Sequence, residues 1–93
     1  MPQFLYVYIL RSLGDGHLYV DLTKDLRKRL TLHNSGAVPS TSPRRPFELI
    51  FYEAYRNEYD VRRRELYFKM SKGKTALQTM LREFLKRGNE TLS

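Results

Sequence analysis

The sequence predicts an α/β domain of the α+β kind, with three strands and three helices in the order β-β-α-β-α-α. Three observations carry this expectation. The run Phe4 to Leu10 (FLYVYIL) is apolar or aromatic at every position and is followed by the turn residues Leu13-Gly14-Asp15-Gly16. The stretch from Tyr19 to Gly36 reads as a strand running into a short helix, with helix-starting residues Thr23 and Asp25 and a glycine just past the end. Near the C-terminus, Leu77, Met80, Leu81, Phe84 and Leu85 recur at the i, i+3, i+4, i+7, i+8 spacing of one helix face.

Each element has a local reason. A strand without alternation, such as Phe4 to Leu10, is expected at the centre of a sheet with both faces covered. After the turn, His17 to Asp21 returns as the second strand of a hairpin. Helix residues Lys24 to Asn34 follow, with Thr23 as N-cap, Asp25 favoured in the first turn by the helix dipole, and Gly36 as the stop. Ala37 to Pro46 (AVPSTSPRRP) is a proline- and serine-rich loop, long enough to suggest a functional one. Phe47 to Ala54 is the third strand, and Glu58 to Met70 the second helix. Ser71-Lys72-Gly73 reads as a break before a closing helix, Lys74 to Arg87, whose apolar stripe must pack inward and which Gly88 caps. Asn89 to Ser93 is expected to fray.

Ninety-three residues suit one domain, 1–93, and are too few for a full dinucleotide-binding fold. The absence of cysteine excludes a disulfide framework, a cysteine-based zinc site and a thiol nucleophile. No apolar run approaches the roughly 20 residues that span a bilayer, and the first residues lack a signal-peptide pattern, so a cytoplasmic protein with no membrane partner is expected. The net charge of +7 and the seven tyrosines and five phenylalanines fit a nucleic-acid partner, because phosphates attract the charge and bases stack on rings. A solvated basic face is the plainer explanation of the same composition.

Several polar residues sit where a core is expected. Any hairpin loop of even length places Tyr8 and Tyr19 on one face, joined by Tyr6 and Asp21, and that face is too polar for ordinary core. At about 100° per residue, Leu26, Leu30 and His33 share one arc of the first helix with Arg29 at its border. Two polar groups there need a site or internal partners. On the second helix Glu65 lies between Val61 and Phe68 with Arg64 and Lys69 nearby, which suits either a structural ion pair or a metal ligand facing a cleft.

The order Tyr6-Val7-Tyr8, then Tyr19-Val20-Asp21, then Arg29-Leu30 with His33-Asn34 and Gly36, then Arg64-Glu65 with Lys69, resembles the GIY-YIG nuclease domain, especially its small stand-alone members, over roughly residues 6–77. The resemblance implies a small three-stranded antiparallel sheet flanked by helices. It also implies cleavage of phosphodiester bonds with one divalent metal, Mg2+ or Mn2+. By position it assigns Tyr8, Tyr19, Arg29, His33 and Glu65 to the catalytic site. In that reading Glu65 holds the metal, Arg29 clamps the phosphate, Tyr8 orients or deprotonates the attacking water, and Tyr19 and His33 position water or relay the proton.

Two positions depart from the family pattern, and one is a common variation among the small members: the first triplet begins with Tyr6 instead of glycine. Asp21 stands where the second triplet of the family ends in glycine, adding bulk and negative charge beside Tyr8 and Tyr19. It either repels substrate phosphate, leaving a module that binds without turnover, or serves as a further metal ligand. Arg44, Arg45, Lys69 and Lys72 are candidate contacts to a phosphate backbone. DNA is the expected polymer, with RNA as the alternative. Specificity is expected from the domain itself, a homodimer or a protein partner, and so small a surface favours single-stranded or distorted DNA.

Overall fold

A computed structural model of the chain describes residues 3–90. The elements are β1 (Leu5–Ser12), β2 (Leu18–Thr23), α1 (Leu26–Ser35), a short 3-10 turn (Ser42–Arg44), β3 (Phe47–Tyr55), α2 (Glu58–Lys69), α3 (Ser71–Met80) and α4 (Arg82–Glu90). The three strands form an antiparallel sheet in the order β2-β1-β3. The strand without alternation therefore takes the central position, the one place where both its faces are covered. Tyr8 lies opposite Asp21 on β2 and Tyr52 on β3, and Tyr6 lies opposite Thr23 and Ala54. A bulge interrupts the β1–β3 ladder: Ile9 pairs with Phe51 but Leu10 with Leu49, leaving Ile50 as the extra residue.

The pleat sorts β1 into two environments. Val7 and Ile9 point to one face, where they pack with Val61 and Phe68 of α2 and Leu77 of α3. Tyr8 and Leu10 point to the other, where Phe47, Tyr19 and Leu49 meet Leu26 and Leu30 of α1. The cover on this second face is incomplete. Leu10 and Tyr8 are buried, yet Tyr52, beside Tyr8, is 53% exposed. The short helix α1 thus roofs one end of the face and leaves the other open.

Helix ends differ from expectation in instructive ways. Asp25, not Thr23, caps α1: its carboxylate accepts the Lys28 N–H at 3.1 Å, while the Thr23 hydroxyl accepts the Asp25 N–H at 3.1 Å. Gly36 ends α1 in the left-handed region at φ 85°, a conformation that only glycine adopts freely. Asn57 caps α2 by accepting from Tyr59 and Asp60. The break after α2 is Met70 alone, in an extended conformation, and Ser71-Lys72-Gly73 opens α3 instead of interrupting the chain. The expected closing helix is divided at Leu81 into α3 and α4, so four α-helices occur among the described residues. Its stripe packs inward only in part, with Leu77 buried, Leu81 half-buried against the core, and Met80 and Phe84 exposed. Gly88 lies within α4 and caps nothing, and 91–93, part of the tail expected to fray, lie outside the described residues.

Gly73 explains how α2 and α3 fold back on each other so closely. A Cβ on this buried residue would fall on the Tyr67 carbonyl and lie 2.7 Å from the Phe68 Cα, and neither backbone atom can move aside. Gly73→Ala should therefore destabilise the fold by roughly 1–3 kcal/mol, although the same change in an exposed helix stabilises. Urea unfolding would show it as a lower midpoint, with Leu66→Ala on the exposed side of α2 shifting stability by only about 0.5 kcal/mol. A midpoint for Gly73→Ala at or above that of the unmodified chain would show that the α2–α3 crossing opens readily enough to admit a methyl group.

Candidate active site

The site is built around one hydroxyl. Tyr8 is 2% exposed, so its phenol oxygen is carried to the middle of a packed face where it must find partners. The strand register supplies one: Asp21 is its cross-strand neighbour on β2, with Oδ2 at 3.3 Å from the Tyr8 hydroxyl. Helix α1 supplies two more from adjacent turns, His33 Nε2 at 3.0 Å and Arg29 Nε at 3.3 Å. Arg29 Nη2 reaches Asp21 Oδ2 at 3.1 Å and closes the ring of contacts. Asp21 Oδ1 accepts the N–H of Leu22 at 2.8 Å.

Proton inventory fixes the roles. His33 Nδ1 lies 2.8 Å from the Thr41 hydroxyl, which itself donates to the Val38 carbonyl at 3.4 Å. In that arrangement Nδ1–H donates to Thr41, and Nε2 presents its lone pair to Tyr8. The phenol has a single proton and two acceptors, His33 Nε2 and Asp21 Oδ2, while Arg29 Nε donates to its oxygen. Every buried side-chain nitrogen and oxygen among the described residues has a partner.

Burial and charge set the protonation states. Burial raises the pKa of Tyr8, opposed by the Arg29 hydrogen bond and reinforced by Asp21, so the phenol stays neutral well beyond physiological pH. Burial lowers the pKa of His33, and the Arg29 cation lowers it further, so the ring is neutral near pH 7. The hydrogen bonds to Tyr8 and Asp21 hold Arg29 more firmly protonated. The resting cluster is thus a neutral phenol, a neutral imidazole and one ion pair whose side chains are each about one-third exposed.

The other residues singled out from the sequence take varied places. Tyr19 shares the Tyr8 face, opposite Leu10, and meets Phe47 edge-on at 5.4 Å. Glu65 projects from α2, whose Val61 and Phe68 pack on the opposite face of the sheet, and it pairs with Lys69 at 3.2 Å. Among the described residues no hydrogen bond or ion pair joins Glu65 to Tyr8, Arg29 or His33. Arg44 is paired with Asp15 and Arg45 lies over Gly36, while Lys72 is exposed without an ion pair among the described residues. Neighbouring Arg64 belongs to Glu53, at 2.8 and 3.1 Å.

Sequence reasoning missed Thr41, whose hydroxyl sets the His33 tautomer. No spacing announces it, because the loop that carries it folds back only through tertiary contacts. It also missed the part Asn34 plays in holding α1 against β3, where its amide bonds the Phe47 N–H at 2.7 Å and the Phe47 carbonyl at 3.1 Å. Among the described residues no group of three or more His, Asp or Glu side chains forms a metal cage. Glu65 Oε1 has no hydrogen-bond partner among the described residues, and a hard carboxylate is the donor type that a magnesium-like ion takes.

The depressed pKa of His33 predicts a pH dependence of stability. Above about pH 6.5 the ring is neutral in both folded and unfolded chains, and the stability of the buried ring is fully present. As pH falls below about 6.5 the unfolded chain takes up a proton first, so stability is lost until the folded pKa is passed. Denaturant unfolding at pH 7.5 and pH 5.5 should show a loss for the unmodified chain that is smaller in His33→Gln, whatever the absolute stability of the variant. Equal losses in the two proteins would mean that His33 titrates alike folded and unfolded.

Comparison with known proteins agrees with this architecture. The family model of the GIY-YIG catalytic domain matches residues 4–79. A UPF0213 protein of Bacillus pumilus is 42% identical over 65 residues, covering 69% of this chain and 65% of the relative, so the match spans about two-thirds of that protein. The UPF0213 protein CPE1444 of Clostridium perfringens is 34% identical over 85 residues, 90% of each chain, and a UPF0213 protein of Pediococcus acidilactici is 34% identical over 76 residues, 78% of this chain and 76% of the relative. No solved structure matches significantly. With both triplet tyrosines on one sheet face and the arginine and histidine of the first helix gathered around Tyr8, the chain belongs to the GIY-YIG catalytic domain family.

Proposed function

We propose that this chain is a divalent-metal-dependent endonuclease that hydrolyses phosphodiester bonds in DNA, with single-stranded or distorted strands as its preferred substrates. The observation that carries the reading is the contact of one buried phenol with both a neutral imidazole and a guanidinium. Hydrolysis requires a water proton to be removed as phosphorus is attacked, and charge to be balanced on the phosphoryl oxygens. Tyr8 with His33 answers the first need: the water proton passes to the phenol oxygen as the phenol proton passes to His33 Nε2, 3.0 Å away. Arg29 answers the second, its planar fork lying partly open to solvent where a phosphate can displace Asp21. Tyr19, on the same face, would position the water. The family resemblance gives Glu65 a Mg2+ or Mn2+ ion, which would supply charge stabilisation for the leaving oxygen, although its helix packs against the other face of the sheet from Tyr8.

Asp21 favours a second reading. Its carboxylate already occupies Arg29 at 3.1 Å, as a substrate phosphate would, so the chain could retain nucleic acid on its basic surface and turn it over slowly or not at all. Cleavage of end-labelled single-stranded and duplex DNA in Mg2+ or Mn2+ tests both. The endonuclease reading expects cutting by the unmodified chain, loss on the order of 100-fold in Glu65→Ala, and faster cutting in Asp21→Gly as Arg29 is freed. Cutting by Asp21→Gly alone would establish the binding-module reading. Absence of products in both would overturn the nuclease assignment.

A further inference from the structure

The open end of the Tyr8 face carries a pair of aromatic rings that the catalytic cluster does not use. Tyr6 and Tyr52 meet edge-on with centroids 5.8 Å apart and planes at 70°. Tyr6 precedes Tyr8 by two residues on β1, and Tyr52 is the cross-strand neighbour of Tyr8 on β3, so both rings border the reacting group on the same face. Neither ring belongs to the buried clusters. Neither hydroxyl makes a hydrogen bond among the described residues, and Tyr52 is half exposed. Across from Tyr6 stands exposed Ala54, too small to shield either ring.

Charge says what such a surface meets. Arg27 and Lys28 lie on the first turn of α1, the helix that packs on this face of the sheet. Both are exposed, and neither forms an ion pair among the described residues, whereas Arg44 and Lys69 are neutralised by Asp15 and Glu65. A face with open rings at one end, a partly exposed guanidinium beside them and unpaired cations on the helix that covers the rest complements a nucleotide strand whose bases are free to stack. In a duplex those base faces are already stacked on one another and cannot lie on a protein ring.

We infer that Tyr52 and Tyr6 form a base-stacking subsite that takes an unpaired nucleotide flanking the phosphate held at Arg29, with Arg27 and Lys28 of α1 adding positive charge on the same side of the sheet. This rests on the endonuclease reading for the phosphate at Arg29, and the stacking itself requires no turnover. The pair thereby directs the site to single-stranded nucleic acid.

Fluorescence anisotropy without added metal tests it, using a labelled single-stranded oligonucleotide, the same oligonucleotide with abasic sites throughout, and its duplex. Tyr52→Ala should weaken single-strand binding about tenfold. Tyr52→Phe, which keeps the ring, should bind as the unmodified chain does. On the abasic strand, which keeps every phosphate, Tyr52→Ala should change nothing. An unchanged single-strand affinity in Tyr52→Ala, or an equal loss on the abasic strand, overturns the inference. So does an unmodified chain that binds none of the three probes, which would leave the rings for a protein surface. Cleavage that persists undiminished on single strands in Tyr52→Ala, with unchanged binding, would refute the subsite while leaving the nuclease standing. Base-dependent binding lost in Tyr52→Ala, with no cleavage by the unmodified chain, would do the reverse.

Discussion

The structure turns on the hydroxyl of Tyr8. A phenol placed at the centre of a three-stranded sheet and covered by a helix cannot keep its water, and leaving its oxygen unpaired would cost about 1–3 kcal/mol. That constraint dictates what lies opposite it on β2 and what α1 must present at two positions one turn apart. It also accounts for the loop after α1. Once His33 is buried with Nε2 on Tyr8, Nδ1 needs its own partner, and Thr41 is brought in from eight residues further on to provide it. Fold and candidate site are therefore the same set of contacts: the groups that satisfy Tyr8 are the groups that the proposed reaction would use to move its proton and hold an anion beside it.

Asp21 gives this arrangement its ambiguity. With glycine at that position, Arg29 would face solvent with only the phenol oxygen to bond. The carboxylate stabilises the folded cluster by pairing with Arg29, and it also raises the pKa of Tyr8, which opposes its use as a base. The pair is about one-third exposed, so solvent screens it and its net worth is small, within about 1 kcal/mol. A phosphate dianion or diester with two oxygens on the guanidinium fork can compete with a single carboxylate oxygen so held. The same exposure that makes the ion pair weak makes Arg29 reachable.

How much of this was legible in the sequence depends on the range of the interaction concerned. β1, the hairpin and α1 were legible because their signals are local: an unbroken apolar run, a Gly-Asp-Gly turn, and a polar cap followed by a glycine stop. Their alternation and helical spacing also placed Tyr8, Tyr19 and Asp21 on one face and Arg29 with His33 on one border. What could not be read were contacts decided by tertiary packing. The bulge at Ile50, the division of the last helix at Leu81, and the capture of Thr41 by His33 have no sequence spacing of their own. Gly73 misled for a related reason. A glycine in a helical pattern usually signals a break, but here the constraint is the approach of two backbones, and the helix runs through it. Arg44 was drawn to the sequence reading by its charge, which Asp15 consumes across the molecule.

The two faces of the sheet divide the labour unequally, and that inequality orients the site. On the Val7 face, α2 and α3 supply Val61, Phe68 and Leu77 and complete a core. On the Tyr8 face a ten-residue helix supplies Leu26 and Leu30 as its apolar cover, with His33 and Arg29 beside them. Tyr8 and His33 lie under the roof, Arg29 and Asp21 at its eave, and Tyr52 outside it. A ligand approaching this face meets the open rings and the partly exposed guanidinium before it can influence the buried proton pair. The buried groups are fixed by packing while Arg29 and Asp21 lie partly open to solvent, the combination that the proposed proton transfer to a pre-positioned acceptor would use. The modest core on this face thus leaves Arg29 partly open and Tyr52 exposed side by side, which is what the proposed site would require of it.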